Sequence, residues 1–420
     1  MKVEDIVLKR AKYKMNYFRI NIPGRDPFEV DRSLMGSIRI EKDFDNYTFP
    51  FFTVDVAVPN SVARQMRKNN ADLTVSMDIQ MGLFEERDDS EKGVTWSNGI
   101  NGEFYVLFPD TDPELNIKAT EQFEKMQGTY NNDGMGFTDY TIYQLLLYKK
   151  DELFKSQTVV NKILTSVNLI TAVAYLLGQS GLKNFLVSPP TNYKNYKEFK
   201  LVPITTKQQL ERICNGYGLH SKGSVIFFDI DRNYILERSA KCTAWATNEI
   251  TKVYLANFTS DFVNSVAKVG CYTNSKEKYY LCNVMEDSVN ANNMALLTSA
   301  VEGSKVMHIN EIDGSAKTVT ANVKASKFAN TNVTKVLSTA VGDDTSSSYA
   351  AISEEGNLPL NVALEYVDLK MLKPNKEFIF TSDDASNSKY NGSYRMSKCD
   401  ITLMREGAYL IPKVDLELKK

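Results

Sequence analysis

Alternation of apolar and polar residues is the feature of this sequence that most constrains its fold. From Leu73 to Leu83 every second residue is apolar. Because successive side chains of a strand point to opposite faces of a sheet, this spacing predicts a strand with one buried face. Aromatic residues, 22 Tyr and 21 Phe, are plentiful beside Val, Ile and Thr, a usage that favours strands. We therefore expect a mainly β protein.

A short helix is predicted just before that strand. The segment Pro50–Val58 is typical of another strand, after which Pro59 and Asn60 open a helix, with Asn60 as the expected N-cap. Val62 and Met66 fall on one face of this helix. The local order is therefore strand, helix, strand.

Length and turn-rich stretches divide the chain. At 420 residues it exceeds the roughly 250 to 300 residues at which single cores stop growing, so two or three domains are expected. Glycine and asparagine cluster at Trp96–Gly102 and Tyr130–Gly136 and separate strands predicted at Glu103–Phe108 and Asp139–Tyr148. Residues 1–150 are therefore predicted to form one β-barrel or compact sandwich.

The middle of the chain changes to helical periodicity. Apolar residues recur at helical spacing from Val160 to Leu177, and Gly178 and Gly181 follow as stop signals. This pattern predicts a helix of about five turns.

A second helix is predicted from Thr206 to Asn215, where Gln209 stands at capping-box spacing from Thr206. The segments Phe185–Leu201 and Val225–Leu236 are predicted to be extended. Residues 151–243 are therefore interpreted as a smaller α/β insertion domain.

Strand periodicity returns after residue 243. Seven short segments separated by turn signals predict a second β-barrel with C-terminal strands over residues 244–420. They are Val253–Phe258, Lys278–Val284, Val306–Ile309, Thr318–Val323, Val362–Leu369, Glu377–Thr381 and Ser393–Met404. Between them, Asn330–Asn357 is polar and turn-rich, which predicts a surface loop or a segment that a partner orders.

Charge and hydropathy exclude several classes of partner. The 50 basic and 52 acidic residues are mixed along the chain and give a net charge of -2, so neither nucleic acid nor an acidic membrane is expected as a partner. The segment Met1–Arg10 lacks the apolar core of a secretory signal, and the apolar segment Thr158–Leu177 is interrupted by polar residues. We expect synthesis in the cytosol and no membrane anchor.

The sequence offers little for a reactive site. The five cysteines have no CxxC spacing and are predicted to be buried free thiols; they are Cys214, Cys242, Cys271, Cys282 and Cys399. Phosphate-loop, dinucleotide, HExxH and GxSxG motifs are absent from the sequence. We therefore predict no catalytic, cofactor-binding or metal-binding residues and no cofactor.

For the weaker candidate site residues we favour a structural role over a functional one. His220 and His308 are the only histidines, and a Cys214–His220 nucleophile pair would fall at a helix end followed by an ordinary turn. Asp229 and Asp231 alternate with apolar residues and could bind a cation, but a solvated strand face is the favoured interpretation.

Several short motifs share an element order with a known family. The order is an apolar helix, a helix leading into a Tyr-Gly turn, an aromatic strand ending in Asp, a further strand, and C-terminal closing strands. The residues are Phe185–Pro190, Leu201–Thr206, Gly216–Leu219, Lys222–Gly223, Phe227–Asp229, Tyr234–Leu236, Gly392–Met396, Ile401–Leu403 and Glu406–Gly407. In these motifs the chain resembles baseplate hub proteins of contractile-tailed bacteriophages, most clearly over residues 160–240.

This resemblance implies a structural protein rather than an enzyme. It implies a homotrimer in which each chain supplies two tail-tube-like β-barrels plus a smaller α/β domain, so that three chains form a pseudo-six-fold ring. Such a ring connects the hexameric tail tube to the trimeric central spike, with tube-initiator and wedge proteins as further partners. The implied location is the virion baseplate, after assembly in the host cytoplasm.

Three alternatives stay open at this point. A hub of a related contractile injection system would share fold and trimer. A tail-associated peptidoglycan hydrolase would require a catalytic carboxylate pair, which sequence cannot locate. A receptor-binding or carbohydrate-binding β protein would need exposed aromatic platforms, for which only Trp96 and Trp245 exist. Trp96 is better interpreted as a partly packed loop anchor.

Overall fold

The architecture is mainly β. The computed structural model describes residues 7–69, 72–85, 91, 93–107, 140–220, 223–239, 252–257, 271–273, 278–285, 305–310, 316–320, 334–339 and 359–419. Most of these residues lie in strands, as the alternation and the aromatic content predicted. No helix in these ranges is long and apolar enough to cross a membrane.

The N-terminal segment supplies most of one closed barrel. Its elements are β1 Val7–Asn21, β2 Phe28–Glu29, β3 Met35–Asp43, β4 Phe51–Pro59, α1 Asn60–Lys68, β5 Thr74–Glu85, β6 Ser97–Leu107 and β7 Tyr140–Lys149, with a 3-10 turn at Arg32–Leu34. The predicted alternating strand is β5, whose Val75, Met77 and Ile79 are fully buried. Alternation along the chain thus becomes an inward apolar face of the barrel.

Two C-terminal strands complete this barrel. They are β22 Gly392–Glu406 and β23 Tyr409–Lys419, and the closed order is β22-β3-β4-β7-β6-β5-β1-β23, with β23 pairing back to β22. The division at residues 150 and 243 stays a prediction, but the eight-stranded barrel draws on both ends of the chain rather than on residues 1–150 alone. Closure leaves this barrel without a free sheet edge.

Further strands close a second, smaller circuit. They are β13 Lys252–Asn257, β14 Cys271–Thr273, β15 Lys278–Leu281 and β21 Glu377–Ser382, and the order β14-β15-β13-β21-β22-β23-β1 returns from β1 to β14. The strands β1, β22 and β23 therefore belong to both circuits. They can do so because they are 15, 15 and 11 residues long, so different parts of each pair with different neighbours.

The remaining C-terminal elements are short. β16 Asn283–Val284 and β20 Leu360–Glu365 extend the large sheet from β23, and 3-10 turns lie at Leu369–Met371 and Ser388–Tyr390. β17 Lys305–Asn310, β18 Ala316–Thr320 and β19 Thr334–Thr339 form a separate sheet. Strands therefore lie at all seven predicted positions, although their ends are shifted. The loop predicted at Asn330–Asn357 is wrong over β19; its other residues lie outside the described ranges.

The α/β insertion has a core of its own. Its elements are α2 Lys150–Ser156, β8 Lys162–Asn168, α3 Leu169–Ser180, β9 Phe185–Val187, β10 Asn195–Leu201, α4 Thr206–Glu211 with a π-helical continuation Arg212–Gly216, β11 Ser224–Phe228 and β12 Asn233–Glu237. Leu169, Val173, Leu210 and Ile213 are among the side chains that form this second hydrophobic cluster. The insertion predicted between the two β-rich parts is thus confirmed as a mixed α/β unit.

The helix predicted from Val160 to Leu177 is wrong over its first half. Residues 162–168 form β8, and α3 begins only at Leu169. The Asn168 side chain accepts a hydrogen bond from the Thr171 backbone N–H at 3.0 Å, and this N-cap sets the helix start. The apolar residues of 162–168 do not alternate, so the strand could not be identified from periodicity alone.

Two predicted N-caps are displaced by one residue. The capping box is formed by Thr205 and Gln208, not by Thr206 and Gln209. Asn60 is the first helical residue of α1 rather than its cap, and its side-chain oxygen accepts from the Thr141 hydroxyl at 2.6 Å. Both predicted helices are confirmed. The apolar face that packs on the core determines whether a helix forms, whereas the cap determines only where it begins.

Candidate assembly interface

The sheet of β9, β12 and β11 lies between two hydrophobic cores. In β11, Val225 and Phe227 belong to the barrel core, whereas Ile226 and Phe228 belong to the core of the insertion. The five residues of β11 are all buried. A strand with two apolar faces explains the continuous apolar run in this part of the sequence.

Adjacent phenylalanines therefore contact different parts of the molecule. The Phe227 ring meets Phe44 edge-on at 4.6 Å between centroids, and the Phe228 ring stacks on Phe49 at 4.7 Å. Phe44 and Phe49 follow β3 in the loop that leads to β4. The insertion is thus packed onto the barrel rather than tethered by linkers alone.

Asp229 directly follows β11. The sequence suggested either a cation site or a solvated strand face here, and the structure shows neither. Its carboxylate is fully buried rather than solvated, and it accepts hydrogen bonds from Lys42 Nζ at 2.9 Å and Lys373 Nζ at 3.3 Å. Burial favours a raised pKa, but the ammonium groups of Lys373 and Lys42 outweigh it and lower the pKa of Asp229 to about 2. The carboxylate is therefore an ionised structural tie.

Asp231 lies at the exposed end of the same tie. Its side chain is 58% exposed and lies 2.5 Å from Lys373 Nζ. Among the described residues no three His, Cys, Asp or Glu side chains are grouped so that they could hold a metal ion. Asp229 and Asp231 thus form ion pairs with lysines rather than the cation site considered from the sequence.

A second carboxylate, Asp45, was not identified in the sequence; its side chain is 14% exposed and joins four segments. Asp45 accepts from Arg395 Nη1 at 3.0 Å and from Lys419 Nζ at 3.0 Å, and its backbone carbonyl accepts from Arg238 Nη2 at 3.3 Å. Burial opposes ionisation, but the nearby Arg395 and Lys419 lower the pKa of Asp45 below its ordinary value. Asp45 therefore links the β3–β4 loop, in which it lies, to the end of the insertion and to both β22 and β23.

A cavity of about 190 Å³ is lined by both Lys42 and Lys373, the two lysines that pair with Asp229. Inward barrel residues such as Ile40, Ile100 and Ile401 line it together with Asp231 and Lys373. Ile230 and Asp231 of the insertion therefore form part of the wall of this cavity, and Asp231 is ion-paired with Lys373 there.

The cysteines were predicted to be buried free thiols. Cys214, Cys282 and Cys399 are buried free thiols, as predicted, and burial raises the pKa of each. The side chain of Cys271 and the whole of Cys242 lie outside the described residues, as does the side chain of His308 in β17.

Trp96 is a packed anchor, as predicted, rather than an exposed platform. Its ring stacks on Tyr409 at 6.2 Å and meets Phe84 edge-on at 5.8 Å. The Lys14 ammonium lies 5.4 Å from the centre of the Trp96 ring. These contacts hold the segment before β6 against the barrel wall; Trp245 lies outside the described ranges.

His220 is enclosed and makes no pair with Cys214. Its Nδ1 lies 2.7 Å from the Ser224 hydroxyl and its Nε2 lies 2.9 Å from the Ser188 hydroxyl. The side chain is fully buried, and burial lowers the pKa of His220 below 6.5. The imidazole is therefore a neutral link between β11 and the segment after β9.

This burial predicts a pH-dependent stability. A histidine whose pKa is lower in the folded state contributes stability that is present above pH 6.5 and is lost as pH falls below it, because the unfolded chain binds the extra proton. We expect the free energy of unfolding to fall more steeply from pH 7 to pH 5 in the wild type than in His220→Gln. Urea unfolding across that range measures the difference, and parallel curves would contradict the prediction.

The insertion also presents an uncovered β-ribbon, formed by β8 and β10 and here called the insert ribbon. Leu164 and Phe199 pair across it and face inward, where both are buried. Ile163 and its cross-strand partner Lys200 face outward and are exposed. Within the described ranges β8 and β10 pair as strands only with each other, so each has an open edge. This ribbon is a candidate contact surface.

Comparisons with known proteins add a family and several similar folds. The sequence profile of the family described as Bacteriophage PBS1 gene 109 protein matches residues 11–414. No curated protein matches the sequence.

Three solved structures illustrate the similarity of fold. The tail protein from Neisseria meningitidis MC58 is 9% identical, with a TM-score of 0.47 over 97% of this chain and 96% of that one. The 43 kDa tail protein of prophage MuSo2 from Shewanella oneidensis is 9% identical, with a TM-score of 0.45 over 96% and 97%. Prophage tail protein gp18 from Listeria monocytogenes EGD-e is 8% identical, with a TM-score of 0.44 over 96% and 94%.

Proposed function

This chain belongs to the family of the Bacteriophage PBS1 gene 109 protein, and we propose that it is the structural baseplate hub of a contractile phage tail. In this role a homotrimer connects the hexameric tail tube to the trimeric central spike. Tube-initiator and wedge proteins are its further neighbours. It assembles in the host cytoplasm and remains in the virion.

One observation carries this proposal. A single chain closes two circuits of strands through the shared strands β1, β22 and β23. Three such chains would place six strand circuits around one axis, which is the number needed to match a six-fold tube from a three-fold assembly. Closed point-group assemblies of identical chains are the common form of soluble oligomers. The fold therefore supplies the parts that a symmetry adaptor needs.

We further propose that the chain acts without catalysis. His220 and Asp229 are fully buried, and the carboxylates of Asp45 and Asp229 are paired with lysine and arginine side chains. General acid-base work needs a group that reaches substrate with a pKa near the working pH. His220 and Asp229 are shielded from solvent, and the pKa values of both carboxylates are lowered away from neutral pH. Turnover of purified peptidoglycan by the chain alone would support the hydrolase alternative instead.

The oligomeric state tests the hub proposal. Light scattering coupled to size exclusion, on the full chain at several concentrations, should give a species of three times the 47.4 kDa chain mass. Negative-stain class averages of that species should show a ring with pseudo-six-fold symmetry and a central channel. A ring of any other subunit number contradicts the proposal. If the chain were the hub of a related injection system, it would form the same ring. In that case it would be absent from purified virions, which distinguishes the two functions.

A further inference from the structure

The cavity of about 190 Å³ is lined by residues of both the barrel and the insertion and has the anatomy of a small-molecule site. Such sites are concave and mostly apolar, with a few polar groups that fix the ligand. The buried side chains of Ile40, Ile100 and Ile401 supply apolar wall. Asn98 and Lys370 also line the cavity and are exposed, so the polar part of the wall reaches the surface.

The charges at this cavity do not all find a partner. Asp229 accepts hydrogen bonds from both Lys42 and Lys373. Asp231 is the second carboxylate of this group and pairs with Lys373. These two lysines and two aspartates balance one another. Lys370 is the third lysine of the wall, and no carboxylate of the described residues forms an ion pair with its ammonium group.

The acidic residue closest to Lys370 in the sequence has another role. Asp368 accepts a hydrogen bond from the Lys370 backbone N–H at 3.0 Å and caps the 3-10 turn Leu369–Met371. It is not part of the cavity wall, and within the described ranges no ion pair joins it to Lys370 Nζ. The Lys370 ammonium therefore remains available to a ligand.

Three groups of the wall carry donor hydrogens for which the described residues supply no acceptor. The Lys370 ammonium has three N–H groups and donates to the Ser97 hydroxyl at 3.1 Å. The Asn98 side chain makes no hydrogen bond to a described residue. The Tyr13 hydroxyl accepts from the Leu369 backbone N–H at 2.9 Å, and burial raises the pKa of Tyr13, so its own proton stays in place.

An excess of donors selects a ligand that supplies acceptors. A carboxylate has two acceptor oxygens and no donor, and its charge is opposite to that of an ammonium group. A cavity of about 150 Å³ lined by aliphatic side chains is large enough to bind benzene, so this cavity accommodates an apolar body of about six carbon atoms.

We propose that the cavity binds a carboxylate carried on an apolar body of about six carbon atoms. The carboxylate lies at Lys370 and Asn98, and the apolar body lies against Ile40, Ile100 and Ile401. A free small carboxylate and the C-terminal residue of a partner chain with a large apolar side chain both present these groups. This inference does not depend on the proposed hub function.

Titration with benzoate tests the proposal on the full chain. Methyl-detected nuclear magnetic resonance should show shifts of the Ile40, Ile100 and Ile401 signals, with a Kd on the order of 1 mM. Benzamide and benzylamine keep the ring but replace the carboxylate by a neutral and a positive group. Each should bind at least about tenfold more weakly than benzoate.

Removing the unpaired ammonium tests its role. Lys370→Met keeps a long side chain without charge and should weaken benzoate binding about tenfold, to the affinity of benzamide. Lys68→Met is the matched control, because Lys68 is an exposed lysine in α1 and does not line the cavity. It should leave benzoate binding unchanged. Thermal melts confirm that both variants are folded.

Two peptides distinguish the sources of the carboxylate. Acetyl-Gly-Gly-Phe ends in a free carboxylate, and its C-terminal amide does not. Tighter binding of the acid than of benzoate, with no binding of the amide, supports the site and identifies a chain terminus as its ligand. Binding of benzoate without binding of either peptide supports the site and identifies a free small carboxylate.

Three results would overturn the proposal. They are an absence of shifts at about 20 mM benzoate, equal binding of benzoate and benzylamine, and an unchanged preference for benzoate over benzamide in Lys370→Met. None of them bears on the hub function, which the oligomeric state tests separately.

Discussion

Replacing Asp229 with alanine is expected to lower the free energy of unfolding by about 3 to 5 kcal/mol. The substitution leaves the Lys42 and Lys373 ammonium groups with side chains only 3% and 10% exposed and without their shared carboxylate. Stranding a buried charge is more damaging than losing a surface pair. Equilibrium unfolding in urea, monitored by far-ultraviolet circular dichroism, measures the change.

Asp231→Ala is the matched control for that experiment. Asp231 also pairs with Lys373, but its side chain is 58% exposed, so the expected loss is no more than about 1 kcal/mol. A triple change of Lys42→Met, Asp229→Leu and Lys373→Met removes all three charges and should recover much of the loss. Equal effects of Asp229→Ala and Asp231→Ala would show that burial of the tie has no energetic consequence.

Replacing Phe228 with alanine should destabilise the insertion by about 3 to 5 kcal/mol. The ring is fully buried, stacks on Phe49 and meets Phe185 edge-on at 5.8 Å, so its removal leaves a cavity in the core of the insertion. Hydrogen exchange read by mass spectrometry should show faster exchange in α3 and α4 than in the barrel strands.

The neighbouring residue provides the comparison for this prediction. Phe227→Ala removes a ring of the same size from the same strand but from the barrel core, where it meets Phe44. Its faster exchange should therefore appear in the barrel strands. If both variants changed exchange in the same segments, β11 would not separate two cores, and the account of how the insertion is attached would be wrong.

Local patterns predicted local structure well. Alternation located β5, and an apolar face located α1 although its cap was misplaced. The segment 160–177 was harder, because Val160, Ile163, Leu164 and Val167 fit a helical face while residues 162–168 pair with β10. Pairing with β10 therefore outweighed the helical spacing from which we predicted a helix.

Long-range features could not be found in this way. Asp229 is 187 positions from Lys42 and 144 from Lys373, and nothing near Asp229 in the sequence indicates either partner. The sharing of β1, β22 and β23 between two circuits likewise joins the two ends of the chain. The division into separate barrels by sequence position misses this, because strand neighbours in a barrel need not be neighbours in sequence.

The resemblance to phage proteins drew on a different kind of signal. The Tyr-Gly turn, the aromatic strand Phe227-Phe228-Asp229 and the closing strands gave an element order rather than a chemical signature. The family match over residues 11–414 confirms that this order belongs to a phage protein family. The packing explains part of the motif, since Phe227, Phe228 and Asp229 each attach the insertion to the barrel or build its core.

The proposed hub requires three copies of this chain at the baseplate of a phage tail. Cryo-electron microscopy of intact virions, with the baseplate reconstructed without imposed symmetry, tests this directly. The account predicts three copies around the tail axis between tube and spike, each with its eight-stranded barrel resolved. Density for this chain outside that ring, or its absence from purified virions, would contradict the account.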